Sequence, residues 1–318
     1  MGHSMKKVII SRIIQLIPTI LVVSILAFSL MHFAPGNPAE ILMKYRNPDG
    51  AIDPIALKQY EEMLGLNKPF LVQVKDWLVG IIHGDFGESF YTGKPVLTEF
   101  NCRIGYTLGL IASGTIFTLL FGIFFGFLSA QFKDSWLDNL LRLTQSIKMS
   151  VPNFWVALLF ILLFCTKLHW FNAIGYSEIK DLVLPGIVLG LSNSSRLMRL
   201  VRTTVLEEKG SGYAYTARIK GLSETAIFFK HILKNILLPV ATLTSTSIIS
   251  MIGSSVIVER VFSFPGIGSY LIQAIGMKDY PVAIGFLFMY ALMVVIINLI
   301  VDILYQVIDP RVRDLANA

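Results

Sequence analysis

Gly93-Lys94, at the end of the stretch Gly87–Lys94, is the pair that most invites comparison with a phosphate-binding loop. Such a loop needs a Ser or Thr after the lysine to hold magnesium, and glycines spaced so that backbone amides cradle the phosphates. Pro95 follows instead, and the glycine spacing is wrong. His32, His83, His169 and His231 are scattered, with no pair at i, i+4 and no acidic partner motif for zinc. No Gly-x-Ser-x-Gly turn presents a nucleophilic serine. Cys102 and Cys165 form no metal-ligand spacing and are too few for a disulfide framework, so two separate thiols are expected. Catalysis, a bound metal and a cofactor are therefore not expected of this chain.

Recognition is the chemistry that remains, and it concentrates between Arg196 and Pro239. Arg196, Arg199, Arg202, Lys209, Arg218, Lys220, Lys230 and Lys234 stand there against Glu207, Glu208 and Glu224, a formal charge of +5. Tyr213, Ala217 and Gly221 recur at i, i+4 and i+8, so a helix would present one narrow face of modest bulk, flanked by Arg218 and Lys220. Gly221-Leu222-Ser223-Glu224 reads as a helix stop and restart, with Ser223 as the cap. A protein partner can approach such a face closely. An amphipathic linker at the lipid headgroups, helped by Phe228 and Phe229, explains the same residues, and the residues alone leave both readings open.

The elements that must position this segment are membrane elements. With 54% hydrophobic and 15% charged residues, and a mean hydropathy of +0.66, the chain is more apolar than a soluble domain of its length needs to be. The net charge of +6 does not point to nucleic acid, because the basic residues cluster at the ends of apolar runs. Met1-Gly2-His3-Ser4 reads as an expression remnant, with Met5 the natural first residue and 5–31 the N-terminal tail and a retained first span. Spans of about 20 apolar residues are expected near 9–31, 104–130, 139–165, 183–203, 236–259 and 282–307, making an all-α, polytopic protein. Six spans put both termini on one side, and Lys6, Lys7, Arg12, Arg311 and Arg313 make that side the cytoplasm. The basic segment 204–235 and the tail 309–318 then fall inside too.

Residues 32–103 lie outside in this topology. Ile52–Leu64 and Phe70–Ile82 have helical apolar spacing, separated by Asn67-Lys68-Pro69, so a small extracellular helical cap is expected. Its charges sum to −2, which suits either a mildly acidic vestibule or an ordinary solvated face. Within the core 104–308, polar residues in the spans are the candidates for a solute pathway: Arg142, Lys148, Asn153, Asn298 and Asp302. Snorkelling to headgroups and hydrogen bonding between helices compete with that reading. Pro152, Pro185 and Pro239 are expected to bend spans. Gly105/Gly109, Gly122/Gly126 and Gly186/Gly190 permit close helix contacts.

Tyr215-Thr216-Ala217-Arg218-Ile219-Lys220-Gly221-Leu222-Ser223, followed by His231-Ile232-Leu233-Lys234-Asn235-Ile236-Leu237-Leu238-Pro239, resembles the permease signature of the dipeptide, oligopeptide and nickel branch of ABC importers. Arg12-Ile13-Ile14-Gln15-Leu16-Ile17-Pro18, Ala34-Pro35-Gly36-Asn37-Pro38, Gly84-Asp85-Phe86-Gly87, Val151-Pro152-Asn153-Phe154-Trp155, Phe264-Pro265-Gly266-Ile267-Gly268, Asp279-Tyr280-Pro281 and Asp309-Pro310-Arg311 resemble its other landmarks, in order. The resemblance covers nearly the whole chain.

That resemblance implies a type I importer permease in the bacterial cytoplasmic membrane, in contact with membrane lipid and not with nucleic acid. It implies a sister permease, two nucleotide-binding ATPase subunits and an extracellular solute-binding protein as partners. Tyr213, Ala217, Arg218, Lys220, Gly221 and Leu222 are then similar to the coupling helix that seats in an ATPase groove. Tyr215 and Thr216 depart from the general pattern, which has Glu and Ala before Ala217, and Gly210-Ser211-Gly212 stands where an acidic residue often precedes the tyrosine. Glu207 and Glu208 stand one turn upstream to supply that charge. The cargo implied is a small peptide or a peptide-sized metal chelate of the nickel or cobalt type. Pro152-Asn153-Phe154-Trp155 and His169-Trp170-Phe171-Asn172-Ala173-Ile174-Gly175-Tyr176 are somewhat closer to nickel-type permeases. The rival of another class is an ion-coupled secondary transporter, which would need midspan acids and two repeated halves.

Overall fold

The computed structural model describes residues 14, 18–29, 32–33, 36–47, 53–172, 175–228 and 232–308. Residues 1–4, the opening of the first expected span, most of the Arg12–Pro18 motif, Ala34-Pro35, Ala173-Ile174, Phe229, Lys230, His231 and the tail 309–318 with Asp309-Pro310-Arg311 lie outside them. Regular structure among the described residues is helical, with one isolated antiparallel bridge between Glu88 and Pro95. The helices are α1 Pro18–Ser29, α2 Pro38–Arg46, α3 Pro54–Met63, α4 Phe70–Ile82, α5 Val96–Gln131, α6 Trp136–Ser150, α7 Asn153–Phe160, α8 Val183–Lys209, α9 Gly212–Ile219, α10 Glu224–Ile227, α11 Leu233–Val261, α12 Ile267–Gly276 and α13 Tyr280–Ile308. They divide into two compact units, one of the residues up to Gly105 with Gly266–Leu299, the other of Tyr106–Pro265 with the residues from Ile300 on.

The first unit holds the expected helix pair, now α3 and α4, with the break at Gly65–Pro69 where Gly65 takes a left-handed φ of 66°. Helix starts follow side-chain chemistry: Asn37 accepts from the Ala39 amide at 3.0 Å and Asp53 from the Ile55 amide at 3.0 Å. Asn37 also donates to Glu61 at 2.7 Å, fixing α2 against α3. The loop 84–95 is pinned from a distance in sequence by Asp279, buried at the start of α13. Its carboxylate accepts from the Ser89 hydroxyl at 2.5 Å and from the Phe90 and Tyr91 amides at 3.1 and 3.3 Å. Glu99 pairs with Arg103 at 2.5 Å, and that guanidinium lies 3.6 Å over the Tyr270 ring. Asp279→Ala strips three donors of a charged acceptor and is expected to cost about 2–3 kcal/mol. The readout is faster proteolysis within 84–95; an unchanged cleavage rate would show that the loop holds itself.

The second unit is built on α8. Its buried face runs from Leu184 through Val188, Leu197, Val201 and Val205, packed among α5, α6, α7 and α11. Against α5 the approach is set by glycines. A Cβ at Gly190 would lie 2.6 Å from the Gly114 carbonyl oxygen, one at Gly122 2.7 Å from Leu197, and one at Gly126 2.8 Å from the Met198 carbonyl oxygen. The 122/126 and 186/190 pairs are thus contact points, whereas Gly105 faces open space. Hydroxyls stitch the same seam: Thr118 donates to the Gly190 carbonyl and Ser113 to the Leu182 carbonyl, both at 3.1 Å. Ser129 on α5 and Arg202 on α8 converge on Asp138 of α6, which is fully buried. Arg202 Nε and Nη2 reach its two oxygens at 2.9 and 2.6 Å.

Two expected spans take a different form. The third, 139–165, is two helices: α6 and the helix Asn153–Lys167, whose last turns are π-helical, meet at 107°. Val151 is extended and Pro152 starts the second helix, because proline offers no N–H and drives the preceding residue out of the helical region. The fourth, 183–203, is a helix of 27 residues, α8, but Ser192–Ser195, Arg196, Arg199 and Arg202 make it too polar to pass as an apolar span. Among the described residues Val96–Gln131, Asn235–Val261 and Tyr280–Val301 are long and apolar enough to cross a membrane, and the bent pair makes a fourth. Pro185 lies in the first turn of α8, where its missing N–H costs nothing, so it breaks no ladder there. Pro239 sits inside α11. In that helix Thr242, Thr244, Ser245, Thr246 and Ser247 each donate to a carbonyl three or four residues back, at 2.7–3.0 Å.

Outward faces show what surrounds the unit. Ile116, Leu120 and Phe124 on α5, and Trp136, Leu140, Leu143 and Ile147 on α6, are exposed at helical spacing, while α6 turns Asp138 and Gln145 inward. Apolar stripes outside and polar groups inside are the arrangement of a helix facing lipid or another apolar subunit. At the entry to α8, burial pushes the Asp181 carboxyl up, and bonds from the Ser177 and Glu178 amides, the Ser177 hydroxyl and Asn172 more than reverse this. Its pKa lies below the usual carboxylate range, so the stability it contributes is present above that range and is lost as pH falls through the lowered value. Cys102 is exposed, Cys165 is buried, and both are free thiols.

Candidate functional site

The break between α6 and α7 opens a cavity of about 320 Å³ within the second unit. Lys148, Met149, Val151, Pro152 and Asn153 form the wall at the break, Ser192, Asn193 and Arg196 the wall from α8, and Ser250 and Ser254 the wall from α11. Those two serines belong to Asn235–Val261, a helix long and apolar enough to cross a membrane, so polar groups gather here on an apolar span. Ser192 donates its hydroxyl to Asn153 Oδ1, which leaves the Asn153 amide nitrogen as a donor. No carboxylate lines the cavity, although two cationic side chains do.

Of the expected pathway residues, the structure brings together Lys148 and Asn153. Arg142 is exposed on α6 and does not line the cavity. Asn298 is half-buried on α13 in the first unit, and Asp302 lies on α13 with its side chain outside the described residues. Sequence reasoning missed Ser192, Asn193, Ser250 and Ser254, and it placed Arg196 in the basic recognition segment. The run Ser192-Asn193-Ser194-Ser195 inside a span was the available signal, since such a run needs a polar or closely packed environment.

The segment after α8 forms a second feature. α9 ends at Ile219, Gly221 takes φ 81°, and the Ser223 hydroxyl accepts from the Ala226 amide at 3.2 Å, so the stop and restart fall where the spacing placed them. The face is not the expected one. Ala217 is turned inward with Ala214, into a cluster with Val205, Ile227, Phe228, Ile232 and Ile236. Small side chains there let α9 lie close on α8 and α11, so Ala217 is a packing residue and not a contact surface. Leu222 packs against the same cluster, and Arg218 turns back to donate to the Lys209 carbonyl at 2.9 Å. Tyr213 is partly exposed, with its hydroxyl on Glu208 and within 3.3 Å of Asn235, which also donates to Glu208 at 3.2 Å. Burial, followed by the bond to Glu208, raises the pKa of that tyrosine above its ordinary value.

Lys220 and Gly221 are exposed, and so are Tyr215 and Ile219 at 65% and 69%, an i, i+4 pair opposite the alanines. Phe228 does not reach a headgroup layer: it is buried, with its ring centroid 4.0 Å from that of Phe127. That removes one anchor of the lipid-linker reading. A larger cavity, about 710 Å³, lies within the first unit among Phe28, Trp77, Phe86, Glu61, Glu62 and Asp85.

Comparison with known proteins gives a consistent picture. Residues 122–314 match the family model described as binding-protein-dependent transport system inner membrane component, and residues 5–111 match the model of its N-terminal part. The oligopeptide transport system permease protein AppB of Bacillus subtilis is 37% identical over 316 residues, covering 96% of this chain and 98% of that one. The dipeptide transport system permease protein DppB of Alkalihalophilus pseudofirmus is 33% identical over 330 residues, covering 95% and 98%. The glutathione transport system permease protein GsiC of Salmonella typhimurium is 33% identical over 305 residues, covering 96% and 98%. Among solved structures, a chain of the MetNI methionine ABC transporter in an inward-facing form matches with a TM-score of 0.54 at 16% identity, over 67% of this chain and 97% of that one. That likeness concerns the fold, and the fold is that of an ABC importer permease, not of a secondary transporter. The chain belongs to the binding-protein-dependent transport system inner membrane components, the multi-pass permease subunits of ABC importers.

Proposed function

We propose that this chain forms half of the membrane pathway of an ATP-driven importer of small peptides. The observation that carries the reading is the polar, carboxylate-free cavity at the α6–α7 break, set in an otherwise apolar bundle. The relatives' names favour peptides over metal chelates as cargo. The apolar stripes on α5 and α6 suit a sister permease that closes the other half. Energy comes from two nucleotide-binding subunits, and cargo arrives from an external binding protein that meets the helical cap of 32–103. Both termini and the segment 204–235 face the cytoplasm, as the charge distribution favours.

The ATPase seats on α9 through Tyr215, Ile219 and Lys220, next to the bare backbone at Gly221. ATP binding draws the two ATPases together and carries α9 with α8 and α11, so that access to the cavity alternates between the two sides. Uptake of a labelled tripeptide into proteoliposomes holding both permeases, both ATPases and the binding protein tests this. ATP-dependent uptake is expected. Uptake without ATP, or uptake of chelated nickel and no peptide, would overturn it.

Docking is tested at Ile219. Ile219→Asp keeps the helix and removes an exposed apolar anchor, so peptide-stimulated ATP hydrolysis is expected to fall about tenfold or more, the effect of a central interface residue. The amount of protein in the membrane should not change. Gly221→Arg is a poorer probe, because its left-handed φ penalises any side chain by about 1–2 kcal/mol whether or not a partner is present. Full ATPase coupling in Ile219→Asp would remove α9 as the docking surface.

A further inference from the structure

The wall of the cavity at the α6–α7 break has one electrostatic sign. Lys148 and Arg196 bring two positive charges, and neither makes an ion pair with a carboxylate among the described residues. Two half-buried cations elsewhere in this unit behave differently: Arg202 is spent on Asp138, and Arg218 donates to a carbonyl. Lys148 is partly buried and Arg196 exposed on the cavity wall, so both charges are open to a solute that enters. The first amides of α7 add to the potential. Pro152 provides no side-chain cap for them, so the Asn153 end of a helix running to Lys167 keeps its partial positive charge. Asn153 completes the set, because Ser192 occupies its oxygen and turns its amide nitrogen into a free donor.

We infer that this cavity receives the C-terminal carboxylate of the transported peptide. The inference rests on the peptide reading above and adds which end of the cargo this subunit holds. Two cations, an amide donor and a helix start match a carboxylate, and they repel the peptide's ammonium end. The apolar side chains of the cargo need no matching pocket here, which suits a carrier of many sequences: the carboxylate is common to all of them. A volume of about 320 Å³ is enough for one terminal residue, not for a whole tripeptide.

The test compares trialanine with its C-terminal amide in the complete reconstituted transporter, so that any preference of the binding protein is common to every permease variant. Expected is a fall of about tenfold in the acid-to-amide uptake ratio for Lys148→Gln and for Arg196→Gln, the factor that about 1.4 kcal/mol supplies. Lys148→Arg restores the ratio. Lys148→Glu lowers it further, through loss of the acid with the amide retained. Equal losses for both peptides, or an unchanged ratio in both glutamine variants that assemble normally, would overturn the inference and leave the peptide reading standing. If the unaltered transporter imports neither peptide in an ATP-dependent way, the peptide reading fails and the inference with it.

Discussion

Asp138→Ala is expected to destabilise the permease by about 3–5 kcal/mol, because it leaves the Arg202 guanidinium half-buried without its partner. Asp138 is fully buried and collects the Ser129 hydroxyl, the Asp134 amide and both arms of Arg202, so one carboxylate joins α5, α6 and α8. The measurement is the denaturation midpoint of detergent-solubilised protein. The double variant Asp138→Leu/Arg202→Met separates charge from shape: removing both partners together is expected to recover most of the loss, since a well-packed apolar pair can replace a buried ion pair at little net cost. A single variant as stable as the parent would mean that water reaches Arg202 and the clamp is ornamental.

The second large effect is expected at Gly190. An alanine there places its Cβ 2.6 Å from the Gly114 carbonyl oxygen and 3.1 Å from the Thr118 amide nitrogen, and neither is the end of a flexible side chain. The α5–α8 contact must open, at the upper end of the roughly 1–3 kcal/mol that overpacking costs, with loss of the Thr118 bond besides. Gly105→Ala, on α5, is the control. Nothing lies within 4 Å of that site, so better helix propensity, about 1 kcal/mol in aqueous hosts, is the remaining term and the change is neutral or favourable. Monodisperse yield after solubilisation reads both. Equal yields for the two variants would dismiss the glycine seam as a determinant of packing.

Local signals were legible in the sequence where one residue's own chemistry decided the outcome. Gly65 to Pro69 could only interrupt a helix, and Gly221 with Ser223 could only end one and start another. Faces and partners were less legible. The spacing of Tyr213, Ala217 and Gly221 defines a stripe without saying whether core or partner covers it, and the core covers Ala217. Arg202 was counted in the basic recognition segment because Asp138, far upstream, cannot be paired with it by spacing. Hydropathy read 139–165 as one rod because the strongly apolar helix after Pro152 carries the average of the whole run, while only the geometry at Val151-Pro152 shows the turn of 107°. That same turn gathers the cavity, which is why Lys148 and Asn153 were visible as polar residues but Ser250 and Ser254, a hundred residues on, were not assigned to them.

The hydroxyls of α11 carry a mechanical consequence. Thr242, Thr244, Ser245, Thr246 and Ser247 have given their protons to their own helix, so sliding or turning α11 past its neighbours ruptures none of those bonds. The α5–α8 seam is the opposite case, closed by glycine contacts and by hydroxyls bonded across it. Constraint within the unit is therefore uneven: α5 and α8 are held along their seam, whereas α11 is joined to them near its two ends, where Asn235 donates to Glu208 of α8 and Thr107 of α5 donates to buried Glu259. Ser250 and Ser254 lie between those two points, so the α11 wall of the carboxylate-free cavity is fixed from both sides.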